Sequence, residues 1–219
     1  MELKFSKEVT NQFPNLKLLK TQISGLQVEK KSRELEEFKN KINNEIKNKY
    51  ELEELKNNQI FRAYRDFFWQ IDIDPTKTRP ASEALVRRIL QGKSLPTINT
   101  LVDAYNLASL SSGIPLAVFD LDSLKGDLVM RFAQEGEEFH GIGMSEPIHL
   151  DGGEIVVSDR GKLIAIYPYR DSNDTRITLD TKNALIMTCG APGIDREKLE
   201  KAEEKAIRYV TRFCGGSKE

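Results

Sequence analysis

The two histidines are the first side chains to test for chemistry, because imidazole is the only side chain that ordinarily titrates near neutral pH. They are His140 and His149, and they lack the His-Glu-x-x-His spacing that puts two zinc ligands on one helix face. The sequence therefore predicts neither a metal site nor a catalytic triad built on them.

Nucleotide binding and thiol chemistry are equally weakly indicated. Gly141 and Gly143 begin a Gly-x-Gly pattern, but Glu146 stands where a third glycine would be needed and no long helix follows. Cys189 and Cys214 have no Cys or His neighbour at metal-ligand spacing, so two reduced thiols are expected. No cofactor and no metal are predicted.

A pair of aspartates follows a short apolar run in VFDLDSL, residues 118–124. This string resembles the nucleophile strand of haloacid-dehalogenase-type phosphatases, in which two aspartates act beside a magnesium ion. Leu124 stands where that pattern usually has Thr or Val, and the strands that follow have no helices between them. A magnesium-dependent phosphatase is thus a remote alternative to Asp120 and Asp122 capping a turn before Gly126.

The elements of the first half follow from the spacing of apolar residues. Residues 3–28 predict a strand, a short helix and a second strand, and residues 31–58 predict a long charged helix with a narrow apolar stripe. That helix either packs on the main domain by one face or forms an arm that binds RNA or a partner. An aromatic helix at 60–69, with its rings in the core, and a loop at 72–80 follow.

The second half predicts two helices, near 81–91 and 97–111, that end at glycines, then a series of strands and a last helix at 195–213. The predicted strands are 116–119, 128–132, 154–157, 163–167, 176–179 and 184–189. The fold class is therefore α+β, a strand-rich half with helices packed on it. We expect an N-terminal α/β extension at 1–59 and a main domain at 60–219.

Charge and hydropathy limit the partners. The chain has 33 Lys plus Arg and 34 Asp plus Glu in 219 residues, so only a local patch could attract RNA, and no DNA partner is expected. No apolar run approaches the roughly 20 residues of a membrane helix, and the charged start does not fit a secretory peptide. We expect no membrane partner and a cytoplasmic location.

A series of motifs begins at Thr78 and keeps one order along the chain. They are TRPASEALVRR at 78–88, LPTINTLVDAYN at 95–106, GIPLAVFDLD at 113–122, GDLVMRFA at 126–133, YRDS at 169–172 and TKNALI at 181–186. Together they resemble the B3/B4 domain of the phenylalanyl-tRNA synthetase beta subunit, most closely its free-standing relatives. The resemblance covers residues 60–191 and also accounts for the aspartate pair as a family turn.

The resemblance implies hydrolysis of wrongly charged tRNA. In the synthetase this domain removes tyrosine, and free-standing relatives are thought to act in trans on mischarged tRNA. A length of 219 residues leaves no room for an aminoacylation core, so a complete synthetase subunit is not expected. Partners would be a transiently bound tRNA and an amino acid or other small molecule in the pocket, and the oligomeric state stays open.

Two departures from the family pattern concern its pocket. Ala117 stands where the synthetase has a histidine, and Met187 stands where it has the glutamate that recognises the tyrosine hydroxyl. A pocket without those groups should not select tyrosine, because discrimination of a hydroxyl needs a site group that pairs with it.

The resemblance also implies roles for individual residues. Asn106 and Asp171 would be catalytic, Asn106 orienting the ester or the water and Asp171 binding the substrate ammonium. Arg170, Thr175 and Ser82 would bind substrate, although Arg170 could form a surface ion pair with Asp171, Thr175 could pair across strands, and Ser82 could cap a helix.

A basic patch would contact the tRNA backbone. Its residues are Lys77, Arg79, Arg87, Arg88 and Lys93, which could instead be ordinary solvated charges. A non-catalytic module that binds an amino acid or the 3′ end of tRNA is the main alternative, because the loss of the two polar pocket groups fits binding without hydrolysis.

Overall fold

A computed structural model describes residues 1–219. Its helices are α1 (Lys7–Gln12), α2 (Arg33–Lys49), α3 (Gln59–Gln70), α4 (Ala81–Leu90), α5 (Thr100–Ser112) and α6 (Arg196–Cys214). Its strands are β1 (Leu3–Phe5), β2 (Leu18–Leu26), β3 (Leu116–Asp120), β4 (Leu128–Phe132), β5 (Glu138–Phe139), β6 (Ile148–His149), β7 (Ile155–Ser158), β8 (Leu163–Ile166), β9 (Arg170–Asp171), β10 (Asn183–Cys189) and β11 (Gly215–Lys218). Short 3-10 helices cover Leu55–Asn57, Leu121–Ser123 and Asn173–Thr175.

The strands form two main sheets, which confirms the α+β fold class. One sheet has the order β1-β4-β7-β8-β9, the other has the order β11-β2-β10-β3, and β5 pairs with β6 separately. All pairs are antiparallel except β1 with β4.

Strand β10 divides the interior because its side chains alternate between two faces. Ala184 and Ile186 join the core formed with the helices, whereas Leu185 and Met187 join a second core that contains Met130 and Val157 of the other sheet. The four-stranded sheet is therefore the middle layer, with α2, α4 and α5 on one face and the five-stranded sheet on the other, where residues of α1, α3 and α6 also join the core.

The first 59 residues contribute to both sheets. Strand β1 pairs in parallel with β4, and β2 lies between β10 and β11 inside the four-stranded sheet. Removing this segment would expose the edge of β10 that pairs with β2, which would leave the backbone groups on that edge unpaired while those facing β3 stayed paired.

The long charged helix is shorter than predicted. Helix α2 ends at Lys49, and Tyr50 takes an extended conformation with φ −129° and packs against Phe61 at 5.7 Å between ring centroids. A buried Leu55 then belongs to a separate 3-10 helix. In the sequence, this break corresponds to the less regular spacing of apolar residues after Ile46.

The helix boundaries elsewhere agree with the expected signals. Gly113, with φ 77°, ends α5, and Gly92, with φ 75°, follows α4, as the glycines predicted. Helix α5 begins at Thr100, three residues after the predicted start at 97. The side chain of Asn99 accepts a hydrogen bond from Val102 N–H and so caps the helix there. In α3 the rings of Tyr64, Phe67 and Phe68 are buried as expected, but that of Trp69 is exposed.

One predicted strand is wrong. Residues 176–179 form no strand, since the chain makes a 3-10 helix at Asn173–Thr175 and then a turn held by the Thr181 hydroxyl, which accepts a hydrogen bond from Thr178 N–H at 3.0 Å. None of the helices has the length and hydropathy to cross a membrane.

Candidate functional site

A small pocket opens where the two main sheets and the start of α4 meet. Its volume is about 60 Å³. Most of its lining is apolar and comes from four places: Ala81 of α4, 115–117 at the start of β3, 165–169 with Asp171 around β8 and β9, and Met187 with Cys189 on β10. Residues from three of the separate motifs, those at 78–88, 113–122 and 169–172, meet in this pocket.

Asp171 is the only charged residue that lines this pocket. Burial raises the pKa of its carboxyl to about 7, and the nearby charge of Arg170 opposes this only in part. No hydrogen bond from the protein favours the charged form. A carboxyl with this pKa changes its charge at neutral pH, which is typical of groups that bind cations or exchange protons at a site.

Two neighbours respond to the charge of Asp171. Burial raises the pKa of the Tyr105 phenol, and the carboxylates of Asp171 and Asp103 raise it further. Burial and Asp171 likewise raise the pKa of the Cys189 thiol, so the thiol stays protonated and is a poor nucleophile. Tyr105 therefore brings α5 close to the pocket on the side of Asp171.

Asn106 follows Tyr105 on α5 and is half-buried. It is not among the residues that line the pocket. Its neighbour Tyr105 is the residue of α5 whose phenol responds to the charge of Asp171, and consecutive helix residues point about 100° apart. A substrate contact of Asn106 remains a proposal.

Arg170 and Asp171 point to opposite sides of β9, as consecutive strand residues do. The guanidinium of Arg170 donates a hydrogen bond to the Ile142 carbonyl at 3.0 Å and lies 5.7 Å from the centre of the Tyr169 ring. The two side chains form no ion pair within 4 Å, and only Asp171 reaches the pocket.

The other two predicted substrate contacts are fully buried. The Thr175 hydroxyl donates to the Ser172 carbonyl at 3.4 Å, inside a 3-10 helix rather than across strands. Ser82 lies in the first turn of α4 next to Ala81, which lines the pocket, and its hydroxyl has no hydrogen-bond partner. It does not cap the helix, whose N-cap is Pro80.

Of the residues predicted to contact RNA, Arg87 is held in an ion pair within the protein, whereas the others are accessible. Arg87 donates to Glu83 at 2.7 Å, and Arg65 holds the same carboxylate with two hydrogen bonds. Burial alone would raise the pKa of Glu83, but the hydrogen bonds from the two arginines outweigh it and lower the pKa. Arg87 is thus half-buried and occupied in an ion pair.

The other patch residues are accessible. Arg79 and Lys93 are exposed, and Arg88 is exposed while donating to the Ser94 carbonyl at 2.5 Å. Arg79 lies two residues before Ala81 and so stands close to the pocket. Lys77, in contrast, lies on a different surface.

That surface is a groove of about 760 Å³ beside the pocket. The two cavities share Ile166, Tyr167 and Tyr169. Four carboxylate residues line the groove against one basic residue; they are Asp72, Asp74, Asp151 and Glu154, against Lys77. The excess of carboxylates makes the groove an unfavourable place for a phosphate group.

The aspartates of the phosphatase-like string have structural partners. Asp120 accepts hydrogen bonds from Asp122 N–H at 3.0 Å and from the Thr181 hydroxyl at 2.7 Å. Asp122 accepts from the Asn183 amide at 3.1 Å. They cap a turn, and no group of three potential ligands for a metal ion occurs in the structure.

Three residues of the site were not identified as site residues from the sequence. Tyr105 was visible only as the neighbour of Asn106 in its motif, and Cys189 was considered only as a reduced thiol and not as a pocket residue. Tyr167 gave no signal, although its buried hydroxyl donates to the Gly190 carbonyl at 2.7 Å and fixes the backbone behind the pocket.

Comparisons with known proteins identify the same region. Residues 63–215 match the family model described as the B3/4 domain. The chain is similar to the phenylalanine-tRNA ligase beta subunit of Fusobacterium nucleatum, with 28% identity over 66% of this chain and 21% of that protein. The same subunit of Protochlamydia amoebophila is 33% identical over 48% of this chain and 13% of its own length.

A solved structure shows the same fold beyond the matched motifs. It is an N-terminal fragment of the phenylalanyl-tRNA synthetase beta subunit from Pyrococcus horikoshii, with a TM-score of 0.55 and 14% identity over 99% of this chain and 50% of that chain. The similarity in fold therefore includes the first 59 residues. The chain spans about a fifth of the length of the Fusobacterium relative.

Proposed function

Because the chain belongs to the B3/4 domain family, we propose that it is a hydrolase that removes amino acids from wrongly charged tRNA. The observation that carries the proposal is the position of Asp171, the single charged group of a pocket that is otherwise apolar. An aminoacyl group has one cationic centre, its α-ammonium, beside a side chain that the apolar wall can take.

Asp171 binds that ammonium when its carboxyl is ionised. A charge-assisted hydrogen bond of this kind is shorter and stronger than a neutral one, and burial strengthens it further. With the ammonium held on Asp171 and the side chain inserted in the pocket, the ester carbonyl lies at the pocket mouth. The geometry of the substrate is thus fixed from two sides.

The reaction itself is ester hydrolysis. Water adds to the carbonyl carbon, the bond from that carbon to the ribose oxygen breaks, and the proton lost by the water ends on the ribose oxygen. The neighbouring ribose hydroxyl can stabilise the developing oxyanion, so the protein needs no nucleophile. Asn106 orients the ester or the water from α5, and Arg79, Arg88 and Lys93 contact backbone phosphates near the pocket.

The direct test is deacylation. Purified protein is incubated with tRNAs charged with a panel of amino acids, and release is compared with spontaneous hydrolysis. At least one charged tRNA should be cleared faster, and Asp171→Asn should slow that clearance at least tenfold, mainly by raising KM. Glu204→Gln, at an exposed position of α6, is the matched control for loss of one carboxylate. If no charged tRNA is cleared above background, the hydrolase proposal fails.

The second candidate is a module that binds the aminoacyl end without hydrolysing it. It is favoured by Ala117 and Met187, which leave the pocket without the polar groups of the synthetase site. In that case tRNA or aminoacyl analogues would bind and stabilise the protein while deacylation stayed at background.

A further inference from the structure

Resting on the function proposed above, we infer that the pocket selects aliphatic aminoacyl groups of the size of valine, leucine or methionine and excludes aromatic ones. The inference depends on three features of this chain: the volume of the pocket, the chemistry of its floor and the rigidity of its walls.

The volume of the pocket sets an upper limit on the size of the substrate side chain. A pocket of about 60 Å³ holds about four to six water-sized groups, given that one water needs about 10–15 Å³. Valine has three side-chain carbon atoms, and leucine and methionine have four heavy atoms. The side chains of phenylalanine and tyrosine have nearly twice as many heavy atoms, most of them in a rigid planar ring that cannot change its shape to fit.

The floor sets the chemistry. Ala117 and Met187 are cross-strand partners, both are buried, and neither offers a hydrogen bond to a polar side chain. The Cys189 thiol beside them is protonated and a weak donor. A substrate hydroxyl would therefore lose its hydrogen bonds to water without replacement, which disfavours serine and tyrosine side chains alike.

The walls resist expansion. Tyr64 donates its hydroxyl to the Cys189 carbonyl at 2.6 Å, and Tyr167 donates to the Gly190 carbonyl at 2.7 Å. Gly190 packs tightly against the chain just before β2, because a Cβ added there would clash with the Lys17 carbonyl oxygen. The strand end that carries Cys189 is thus held from three sides.

Met187 is the residue that sets the depth of the pocket. Its side chain is fully buried at the pocket floor, and its replacement by alanine would remove three heavy atoms. Ala117 is the complementary position, because a larger side chain there fills space that the substrate would occupy. The next residue on β10, Thr188, points to the opposite face and has an unpartnered hydroxyl, so Thr188→Val is a control of nearly equal shape.

The experiment measures two things on the same proteins. One tRNA is charged in turn with valine, leucine, phenylalanine and tyrosine, and deacylation rates are compared. Binding of L-leucinamide and L-tyrosinamide, which carry the ammonium but no ester, is measured separately by thermal shift. The wild-type protein should clear leucyl-tRNA or valyl-tRNA at least about tenfold faster than tyrosyl-tRNA and should be stabilised by leucinamide more than by tyrosinamide.

The variants test the cause. Met187→Ala should reduce the preference for leucine over phenylalanine about tenfold, Ala117→Val should weaken leucinamide binding without admitting aromatic groups, and Thr188→Val should change neither. Ala117→Val keeps the test valid if Met187→Ala unfolds. Equal or better use of tyrosine by the wild-type protein would overturn the inference, whereas leucinamide binding without any deacylation would keep it and overturn the hydrolase proposal. Absence of both binding and deacylation would overturn both.

Discussion

Met187 and Ala117 lie directly opposite each other on the antiparallel strands β10 and β3, and both side chains form the floor of the same pocket. The family resemblance places a glutamate and a histidine at these two positions. Both departures from the family pattern are therefore neighbours in space, although they are 70 residues apart in the sequence. The polar side of the pocket is now supplied by Asp171 alone.

The first prediction concerns the pH dependence of deacylation. The pKa of Asp171 is about 7 in the free protein, and only its ionised form binds an ammonium. The value of kcat/KM, corrected for spontaneous hydrolysis, should rise with pH up to about pH 7 and fall again above about pH 8, because this parameter reports the free enzyme and the free substrate, and the α-ammonium of the substrate loses its proton there. Rates measured from pH 5.5 to 8.5 check this.

Asp171→Asn supplies the control for that profile. The amide does not titrate, so its residual kcat/KM should show no step near pH 7. A step that persists in the variant would assign the titration to another group and would remove Asp171 from the binding role.

The second prediction concerns stability, where the same residue has the opposite effect. In the unfolded chain an aspartate has a pKa of about 3.9. Between roughly pH 4 and 7 this carboxyl is ionised in the unfolded chain but still protonated in the folded protein. The free energy of unfolding therefore falls as the pH rises through this window. Above pH 7 the group is ionised in both states and changes the stability no further. The Asp171→Asn variant should not lose stability in this way, because its amide does not titrate.

The measurement is the Tm of variant and wild type at several pH values. The difference should be small near pH 4, grow up to pH 7 and then stay constant, with each kcal/mol raising Tm by about 2–4 °C. Asp174→Asn removes the same charge at an exposed position and serves as control. A Tm for Asp171→Asn below that of wild type at pH 8 would mean that the carboxylate stabilises the fold.

Much of the architecture was predictable because it depends on local patterns. Gly92 and Gly113 mark helix ends through their backbone conformation, and strands β3, β4, β7, β8 and β10 follow from short apolar runs between turns, whereas the two-residue strands β5, β6 and β9 were not predicted. The order of the strands was not predictable in the same way. Nothing local to residues 18–26 shows that they pair with 183–189, far along the chain.

The site was predictable only in part, for a similar reason. Asp171 was identified from its motif, and the structure brings it to the same pocket as Ala117 and Met187. The direction of each side chain is a property of register and packing. Arg170 shares a motif with Asp171 but points away from it, and the roles of Tyr105 and Tyr167 arise from contacts with distant strands and loops.

The third prediction concerns the RNA patch. Arg79→Glu and Lys93→Glu reverse exposed charges of this patch, so each should weaken tRNA binding and reduce the salt dependence. The slope of log K against log salt should fall by roughly 0.7–0.9 for each phosphate that the variant no longer neutralises. Filter binding over a range of salt concentrations measures it.

Arg33→Glu is the matched control for those charge reversals. Arg33 lies on α2, its side chain is 93% exposed, and its only ionic partner is Glu37. If reversal of Arg33 weakens binding as much as reversal of Arg79 or Lys93, the tRNA contact is a general effect of net charge rather than a property of the patch.

The fourth prediction concerns the ion pair that fastens α2 to α5. The Lys39 ammonium lies 2.7 Å from the Asp103 carboxylate, and the two side chains are only 6% and 2% exposed. Lys39 also donates to Thr97 and Glu36, and Asp103 also accepts from Ile98 N–H. Asp103→Ala should therefore cost about 3–5 kcal/mol, because it leaves a buried ammonium without its main partner.

Urea unfolding of single and double variants measures this cost. Lys39→Met with Asp103→Asn removes both charges and keeps an acceptor for Ile98 N–H, so the pair should lose much less stability than Asp103→Ala alone. Glu37→Gln breaks the exposed pair on the same helix and should cost under about 0.5 kcal/mol. A cost for Asp103→Ala as small as that of Glu37→Gln would show that water reaches Lys39, and that apolar packing alone holds α2 on the domain.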